Sequence, residues 1–355
     1  MTEKLPSGST VGILGGGQLG RMLAVAAARL GFKVHIFAPE SDPPAADVAL
    51  KTTRADYNDH DALRSFAQSC AVVTYEFENV PTDALTCITA HVPLRPGREA
   101  LRISQDRLFE KQFLQNQNLN VAPFLDVPDR DTLVQAIAKI GVPSILKTRR
   151  FGYDGKGQIW IRQPDDAHRA FDALDPAPMI LEGVVNFTRE ISVIAARGIA
   201  GDVACFDPGE NVHEDGILRT TTVPARLSAT QRSDAVLIAA KILNALEYVG
   251  VLGVELFVTE AGLLINEIAP RVHNSGHWTQ NGCAVDQFEQ HIRAITGWPL
   301  GDGERHADVV MQNLIGDDIA EVPRLAAERN TAVHLYGKAE VKPGRKMGHI
   351  NRIIR

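Results

Sequence analysis

Two glutamates, Glu255 and Glu267, lie at mirror-image positions about a short turn, and their spacing constrains the fold more than any other feature of this chain. The residues on either side of the turn are mostly apolar, as in two paired strands. The turn is centred on Ala261 and ends in a glycine, which is typical of three-residue hairpin loops. A hairpin of this kind predicts that the two glutamates face each other and that Phe257 faces Ile265.

Opposed carboxylates inside an apolar hairpin indicate a bound cation. Directly paired residues have Cβ atoms roughly 5 Å apart, and like charges at that separation repel each other. Asn266 precedes the second glutamate and adds an amide oxygen. A ligand set made only of oxygens favours magnesium, or manganese, and magnesium commonly bridges to substrate phosphates. The alternative is a one-residue shift in register, which would turn one glutamate towards solvent.

The composition excludes several classes of function. A net charge of −6 argues against nucleic-acid and membrane-surface partners, because both require a broad basic face. The four cysteines show no Cys-x-x-Cys spacing, so neither a zinc site nor a disulfide framework is predicted. The first residues lack the plan of a signal peptide, and no apolar run approaches membrane-spanning length. We therefore expect a cytoplasmic protein that binds small molecules.

The N-terminal part alternates strands and helices. Residues 10–14, 34–37 and 71–77 have the apolar character of buried strands, and a helix between the first two ends at Gly31. This βαβ pattern predicts a parallel sheet covered by helices. Further along, a capping box at Ser228 predicts the start of a long helix, which the pattern continues to the glycine before the hairpin, Gly250.

Changes in pattern divide the chain into three parts and predict an α/β fold. The expected boundaries are 1–103 for a Rossmann-like domain, 104–296 for a mixed middle domain with a flap subdomain at about 143–185, and 297–355 for a small C-terminal cap.

The first glycine turn, Gly15-x-Gly17-x-x-Gly20, has the spacing of a dinucleotide-binding fingerprint and lies between a strand and a helix. Glu40 follows at about the distance expected for a ribose ligand. The turn is equally compatible with other phosphates, since a helix N-terminus attracts any anion. Glu76 ends a later strand at the edge where open α/β sheets bind ligands, although it could also be a solvated loop residue.

A second group of residues favours phosphate binding. Lys147 lies within an apolar strand, which is costly without an anionic partner. The segment 152–157 follows it and contains three glycines and a lysine, next to Arg149 and Arg150. Such a segment could be a simple hairpin turn, but beside a strand lysine and paired glutamates it is better suited to close over phosphates.

Two polar clusters follow the hairpin. Arg271 and His273 come a few residues after Glu267, so they are delivered beside the predicted metal, where an arginine could hold a small planar anion. Lys338, Arg345 and Lys346 form a basic group near the C-terminus, which on an acidic protein indicates a phosphate monoester or, alternatively, an ordinary solvated terminus.

The order of these features resembles the ATP-grasp ligases and, more narrowly, the 5-(carboxyamino)imidazole ribonucleotide synthases of purine biosynthesis. The resemblance runs from about residue 10 to about residue 351 and rests on the motifs at 15–22, 152–158, 213–219, 266–278 and 342–349. It implies an ATP-grasp fold, a homodimer, and ATP, bicarbonate and aminoimidazole ribonucleotide as substrates. ATP would phosphorylate bicarbonate to carboxyphosphate, and the amine of the ribonucleotide would then be carboxylated.

The resemblance also implies roles for individual residues. The metal would be held by Glu255 and Glu267. Bicarbonate and catalysis would involve Arg271, His273 and Asn274, with Asp154 as general base. ATP would be bound by Arg107, Lys147, Gly155, Lys156, Glu182, Val185, Glu190, His213 and Asn266. The ribonucleotide would be bound by Gly17, Gln18, Leu19, Glu76, Tyr153, Asp154, Lys338, Arg345 and Lys346, with the glycine turn contacting its sugar or phosphate.

Three other functions stay open on the sequence alone. Another ATP-grasp ligase would share the ATP site but lack the motifs at 271–274 and 342–349. A dehydrogenase that uses NAD would leave the paired glutamates and the flap unexplained. A nucleotide sensor would bind ATP with magnesium and release no phosphate.

Overall fold

A computed structural model describes residues 4–152, 156–174 and 177–354. None of the helices in these ranges combines the length and apolar character of a membrane span. The N-terminal elements are β1 (Thr10–Leu14), α1 (Gln18–Arg29), β2 (Lys33–Ala38), β3 (Lys51–Arg54), α2 (His60–Gln68), β4 (Val72–Tyr75), α3 (Thr82–Thr89) and α4 (Arg98–Ser104). Their strands pair in parallel in the order β3-β2-β1-β4, which confirms the predicted βαβ arrangement.

A second, antiparallel sheet lies within residues 124–183, which start before the predicted flap subdomain at about 143–185; it has its own apolar core, and this whole unit is called the flap subdomain below. The elements of this region are α5 (Arg107–Asn116), β5 (Phe124–Val127), α6 (Arg130–Ile140), β6 (Ser144–Thr148), β7 (Gln158–Ile161), α7 (Ala167–Leu174) and β8 (Met179–Gly183). The strand order is β5-β8-β6-β7. The predicted flap segment therefore joins β6 and β7, whose mutual pairing brings its two ends together.

The largest sheet carries the hairpin of paired glutamates at one edge. Its strands and helices are β9 (Arg189–Arg197), β10 (Val203–Cys205), β11 (Gly209–Glu214), β12 (Ile217–Val223), α8 (Ala229–Ala245), β13 (Gly250–Thr259), β14 (Gly262–Ala269), α9 (Thr279–Gly282), α10 (Gln287–Thr296), β15 (Val309–Ile315), α11 (Val322–Ala326), β16 (Thr331–Leu335) and β17 (Lys346–Ile353). The order is β14-β13-β9-β11-β12-β15-β17-β16. Because β15 pairs with β12, the C-terminal strands extend the sheet of the middle domain.

This sheet is buried on both faces, as the alternation along β9 shows. Val193 and Ala195 pack into a core formed with α8, whereas Ile194 and Ala196 belong to a core shared with α10 and the N-terminal domain. Successive side chains of a strand point to opposite faces, so one strand contributes to both cores. The hairpin next to β9 is therefore held by packing on both of its sides.

The helix α8 begins as predicted and ends earlier. The Ser228 hydroxyl accepts from the backbone of Gln231, whose side chain accepts in return from the Ser228 N–H. The helix stops at Ala245, and the chain turns at Glu247, which has a φ of 46°. Gly250 is thus the first residue of β13 and not the end of the helix, so this part of the prediction was wrong.

We expect Ile242→Ala to lower the free energy of unfolding by about 2–5 kcal/mol, because the truncation leaves a cavity in the core beneath α8. Ile242 is fully buried, whereas Leu237 on the same helix is 65% exposed. Leu237→Ala is therefore the matched control, with an expected change within about 0.5 kcal/mol. Urea unfolding followed by circular dichroism would measure both. Equal destabilisation by the two variants would contradict the assigned faces of α8.

Candidate active site

The paired glutamates face each other, as the sequence predicts, but through a different local geometry. Glu255 pairs directly with Glu267. The turn has two residues and not three, so Phe257 lies opposite Leu264, and the predicted pairing with Ile265 was wrong. The glutamates nevertheless meet because the register shifts by one residue between them and the turn.

That register shift makes Asn266 the extra residue of a β-bulge. Bulges bend a strand and redirect side chains, and they are frequent beside active sites. The Asn266 amide lies 3.4 Å from Glu255 Oε2, so it is part of the same polar group. Burial, together with the charge of Glu267, raises the pKa of Glu255 to about 7. A cation between the two carboxylates would relieve this repulsion.

The donor chemistry of the hairpin fits a hard cation. Two carboxylates and an amide supply oxygen donors, and Glu255 Oε1 lies 3.6 Å from His273 Nε2. In the ranges that the structure describes, no group of three or more His, Cys, Asp or Glu residues is arranged to hold a metal. A magnesium ion held by the two carboxylates would be completed by phosphate oxygens and water, as is usual for this ion.

A buried chain of charges connects the hairpin to the flap subdomain. The Lys147 ammonium donates to Glu182 Oε2 at 2.8 Å, and Lys111 Nζ lies 3.5 Å from Glu182 Oε1 and 3.4 Å from the carbonyl of Asn266. Burial opposes ionisation of Glu182, but the two lysines outweigh it and lower the pKa of this carboxyl to about 2. Burial also lowers the pKa of Lys147. The predicted strand lysine thus has its anionic partner.

The helix α5 supplies charges to this region that the sequence analysis missed in part. Arg107 was predicted, and its Nη1 lies 3.3 Å from Glu267 Oε2. Glu110 is buried, accepts from the backbone N–H of Ile268 at 2.7 Å, and has its pKa raised to about 8 by burial and by the charge of Glu267. Glu110 and Lys111 share one helical face with the apolar Leu114, but a solvated helix surface shows the same pattern, so the sequence does not single them out.

The predicted nucleotide residues lie in two sheets, with Glu182 on β8 of the flap sheet and Glu190 and His213 on the adjacent strands β9 and β11 of the largest sheet. Glu190 on β9 contacts Nδ1 of His213 on β11. Burial disfavours the imidazolium, but the hydrogen bond to Glu190 and nearby carboxylates raise the pKa of His213. Val185 is half-buried in the connection between β8 and β9. This connection, which begins after Gly183, joins the two sheets.

The loop after β14 places Arg271 and His273 beside the hairpin. Arg271 Nη2 forms an ion pair with Glu78 Oε1 at 2.6 Å. His273 Nδ1 lies 2.8 Å from the hydroxyl and 3.4 Å from the backbone nitrogen of Ser275, and its Nε2 faces Glu255. Burial, then the positive charge of Arg271, holds the pKa of His273 well below its usual value, so its imidazole is neutral.

Two amide side chains that the sequence analysis missed hold this loop. Asn274 and Asn313 exchange hydrogen bonds through both of their amide groups, at 2.9 and 2.7 Å. Gln287 accepts from the backbone N–H of His273 and donates to its carbonyl, at 2.9 and 2.8 Å. These partners are distant in sequence, so no local pattern indicates them. The predicted anion ligand Asn274 is consequently engaged with another side chain.

The first glycine turn is occupied by a carboxylate of the protein. The N–H groups of Gly17 and Gly20 donate to the two oxygens of Glu76, at 2.6 and 2.8 Å. A Cβ on Gly17 would lie 2.6 Å from Glu76 Oε1, so this close approach requires glycine. Burial raises the pKa of Glu76, although these hydrogen bonds oppose the shift. The turn cannot cradle a phosphate while Glu76 fills it, which disfavours both a dinucleotide and a phosphate of the ribonucleotide there.

The C-terminal basic group contacts the start of α1. Lys338 Nζ donates to Gln18 Oε1 at 2.5 Å and to the carbonyl of Lys346 at 2.6 Å. Arg345 Nη1 donates to the carbonyl of Glu340 at 2.9 Å. Burial, followed by the charges of Arg345 and Lys346, lowers the pKa of Lys338 to about 8. Concentrated positive charge of this kind favours an anion beside Gln18.

Some predicted residues are not tested by these contacts. Tyr153, Asp154 and Gly155 lie outside the described residues, and Lys156 is exposed at the start of the next described segment. Leu19 is half-buried and packs against the core of the N-terminal domain.

Three family models together span most of the chain. They are the ribonucleotide synthetase preATP-grasp domain over residues 8–105, the ATP-grasp domain over 112–288, and the phosphoribosylaminoimidazole carboxylase C-terminal domain over 309–355. The N5-carboxyaminoimidazole ribonucleotide synthase of Brucella melitensis is 54% identical over 352 residues, which cover 98% of this chain and 97% of that protein. The chain belongs to the N5-carboxyaminoimidazole ribonucleotide synthase family. It therefore has the ATP-grasp fold of an ATP-dependent ligase, as the motifs predict.

Other members of the N5-carboxyaminoimidazole ribonucleotide synthase family match this chain over a similar length. The enzyme of Bacillus subtilis is 44% identical, with 97% of this chain and 91% of that protein covered. The Thermus thermophilus synthetase structure has a TM-score of 0.91 at 43% identity and covers 97% of this chain and 93% of that one. An Aspergillus clavatus synthase in complex with ADP and 5-aminoimidazole ribonucleotide has a TM-score of 0.92 at 32% identity, with 98% and 94% covered.

Proposed function

We infer that this chain carboxylates 5-aminoimidazole ribonucleotide with bicarbonate and ATP, giving N5-carboxyaminoimidazole ribonucleotide, ADP and phosphate in purine biosynthesis. The observation that carries this inference is the match to the Brucella melitensis synthase along nearly the whole of both chains. An NAD-dependent reaction is disfavoured, because Glu76 fills the glycine turn that would bind the dinucleotide. The resemblance further supports a cytoplasmic homodimer.

We propose that ATP lies between the flap subdomain and the hairpin. Lys147 and Arg107 would contact its phosphates, with Lys156 and Gly155 closing over them. Glu255, Glu267 and Asn266 would hold magnesium, which supplies neutralisation of phosphate charge when bound. Glu182, Val185, Glu190 and His213 would hold the adenosine part. The domain boundaries at 1–103, 104–296 and 297–355 stay a proposal, supported by the similar spans of the family models.

The remaining residues fit the two other substrates. Arg271 and neutral His273 would hold bicarbonate beside the metal, and an oxygen of bicarbonate would attack the γ-phosphorus to give carboxyphosphate. Asn274 could join them only by exchanging its hydrogen bonds with Asn313.

The ribonucleotide would lie against the N-terminal domain. Lys338, Arg345 and Lys346 would bind its 5′-phosphate. Gln18 and Glu76 would contact its sugar, beside Gly17 and Leu19. Tyr153 and Asp154 would approach the amine from the flap, with Asp154 taking its proton.

ADP release with magnesium, ATP and bicarbonate, measured with and without 5-aminoimidazole ribonucleotide, tests this function. We expect strong stimulation by the ribonucleotide and a matching loss of its free amine. ADP release that ignores the ribonucleotide would contradict the proposed acceptor. If no mixture of substrates releases ADP, the result would favour a nucleotide sensor that binds ATP without cleaving it.

The pH dependence of ribonucleotide binding follows from Lys338. Its pKa of about 8 means that the ammonium is charged below pH 8 and becomes neutral as the pH rises through that value. We therefore expect kcat/KM for the ribonucleotide to fall above about pH 8, because this parameter reports groups of the free enzyme. Lys338→Arg keeps its charge at higher pH and should move the fall upwards. If kcat/KM for the ribonucleotide falls at the same pH in Lys338→Arg as in the wild type, Lys338 is not the group that causes the fall.

A further inference from the structure

Glu78 was not predicted as a site residue, yet it forms the closest charged contact of Arg271. The Nη2–Oε1 distance is 2.6 Å, and the two side chains are only 21% and 28% exposed. Arg271 Nη1 also donates to the carbonyl of Val272 at 3.1 Å. A guanidinium has five N–H groups in a fixed plane, so fixing two of them determines where the others point.

The backbone of Glu78 is held by a second residue. Gln105 Nε2 donates to the carbonyls of Glu78 and Val80, at 2.6 and 2.9 Å. The other end of the same amide, Oε1, accepts from Arg150 Nη2 at 2.8 Å. Arg150 lies just before the flap segment. Gln105 therefore connects the root of the flap to the residue that pairs with Arg271.

The N-terminal side of this short loop is fixed as well. Glu76, two residues earlier, accepts from the N–H groups of Gly17 and Gly20 at the proposed ribonucleotide site. Residues 76–78 thus connect three regions: the glycine turn, the flap root and Arg271. The Glu78 side chain is largely shielded from water. A carboxylate is rarely shielded in this way without a specific partner, and here that partner is Arg271.

We propose that Glu78 is a positioning residue, which orients Arg271 towards bicarbonate and connects that orientation to the ribonucleotide loop and the flap. The inference rests on the proposed function, in which Arg271 holds bicarbonate. With Glu78 in place, one edge of the guanidinium is fixed and the rest is presented to a planar anion. Without it, Arg271 is less well oriented and ATP is cleaved with poorer transfer to the amine.

The test compares Glu78→Gln with the wild-type enzyme under saturating ATP. We expect the KM for bicarbonate to rise about tenfold, since a charge-assisted hydrogen bond to Arg271 is weakened. We also expect more ADP per carboxylated amine than in the wild type, and a KM for ATP within about twofold. Glu78→Asp keeps the charge and should recover part of the bicarbonate affinity. A merely structural role would not change bicarbonate KM selectively.

The control is Asp83→Asn, an exposed acidic residue at the start of α3, which should behave as the wild type. If the wild type shows ribonucleotide-stimulated ADP release but Glu78→Gln has unchanged bicarbonate KM and stoichiometry, the inference about Glu78 is wrong and the proposed function stands. If the wild type itself lacks that stimulation, the proposed function fails first. Should Glu78→Gln not fold, an unchanged bicarbonate KM in Glu78→Asp would equally contradict the inference, because the shorter side chain cannot reach Arg271 in the same way.

Discussion

Glu267→Gln should lower kcat by about 100- to 1000-fold, the usual cost of removing one electrostatic contact to a transition state. Glu267 faces Glu255 across the hairpin and also contacts Arg107. It would therefore hold the metal between the two carboxylates, next to an arginine that would contact the ATP phosphates. The substitution removes one of two opposed charges and relieves repulsion on Glu255 and on buried Glu110. The fold should therefore be retained, with a melting temperature equal to or above that of the wild type.

The matched control for this prediction lies on the same hairpin. Glu260 is exposed at its turn, so Glu260→Gln removes an equal charge without touching the site. Steady-state ADP release and a thermal melt of both variants suffice. Near-normal turnover by Glu267→Gln would contradict the assignment of Glu267 as a metal ligand. An equal loss of kcat in both variants would instead indicate a general effect of charge on the hairpin.

Lys147→Met should lower kcat/KM for ATP by about 100-fold and leave the KM for the ribonucleotide within about twofold. The ammonium is in a shielded position on β6, with 12% of the side chain exposed, and it donates to Glu182. Lys111 still neutralises Glu182 in the variant, so an uncompensated buried carboxylate is avoided. The loss should therefore fall on phosphate binding and not on stability.

Lys139→Met on α6 is the control, since that lysine is exposed and lies on the same subdomain. Initial rates with each substrate varied in turn separate the two KM values. An equal rise in the KM for the ribonucleotide would indicate that Lys147 acts through the whole site, and an unchanged kcat/KM for ATP would exclude it from phosphate contact.

The elements that depend on local patterns were predictable. The parallel N-terminal sheet, the capped start of α8 and the pairing of Glu255 with Glu267 all follow from periodicity, capping residues and turn position. The last of these was reached through a compensating error, because the turn is one residue shorter than predicted and the bulge at Asn266 restores the register. Bulges have no strong sequence signal, so their positions are seen only in a structure.

The contacts that shape the site depend on residues distant in sequence. Glu76 fills the glycine turn 59 residues before it, and Asn313 pairs with an amide 39 residues away. A helical face with Glu110 and Lys111 beside Leu114 could also be read as a solvated surface, because charged residues are seldom fully buried. Such groups become functional candidates only when the fold shows which charges neutralise them.

Oxygen transfer from bicarbonate to phosphate tests the central claim most directly. With freshly dissolved ¹⁸O-labelled bicarbonate, ATP and the ribonucleotide, attack on the γ-phosphorus leaves one labelled oxygen on the released phosphate, because the bridging oxygen of carboxyphosphate stays with phosphorus when its carboxyl group departs. We expect labelled phosphate from the wild type in step with ADP release. Unlabelled phosphate formed at the same rate would show that water attacks ATP, and it would contradict the account of this chain as a carboxylating ligase.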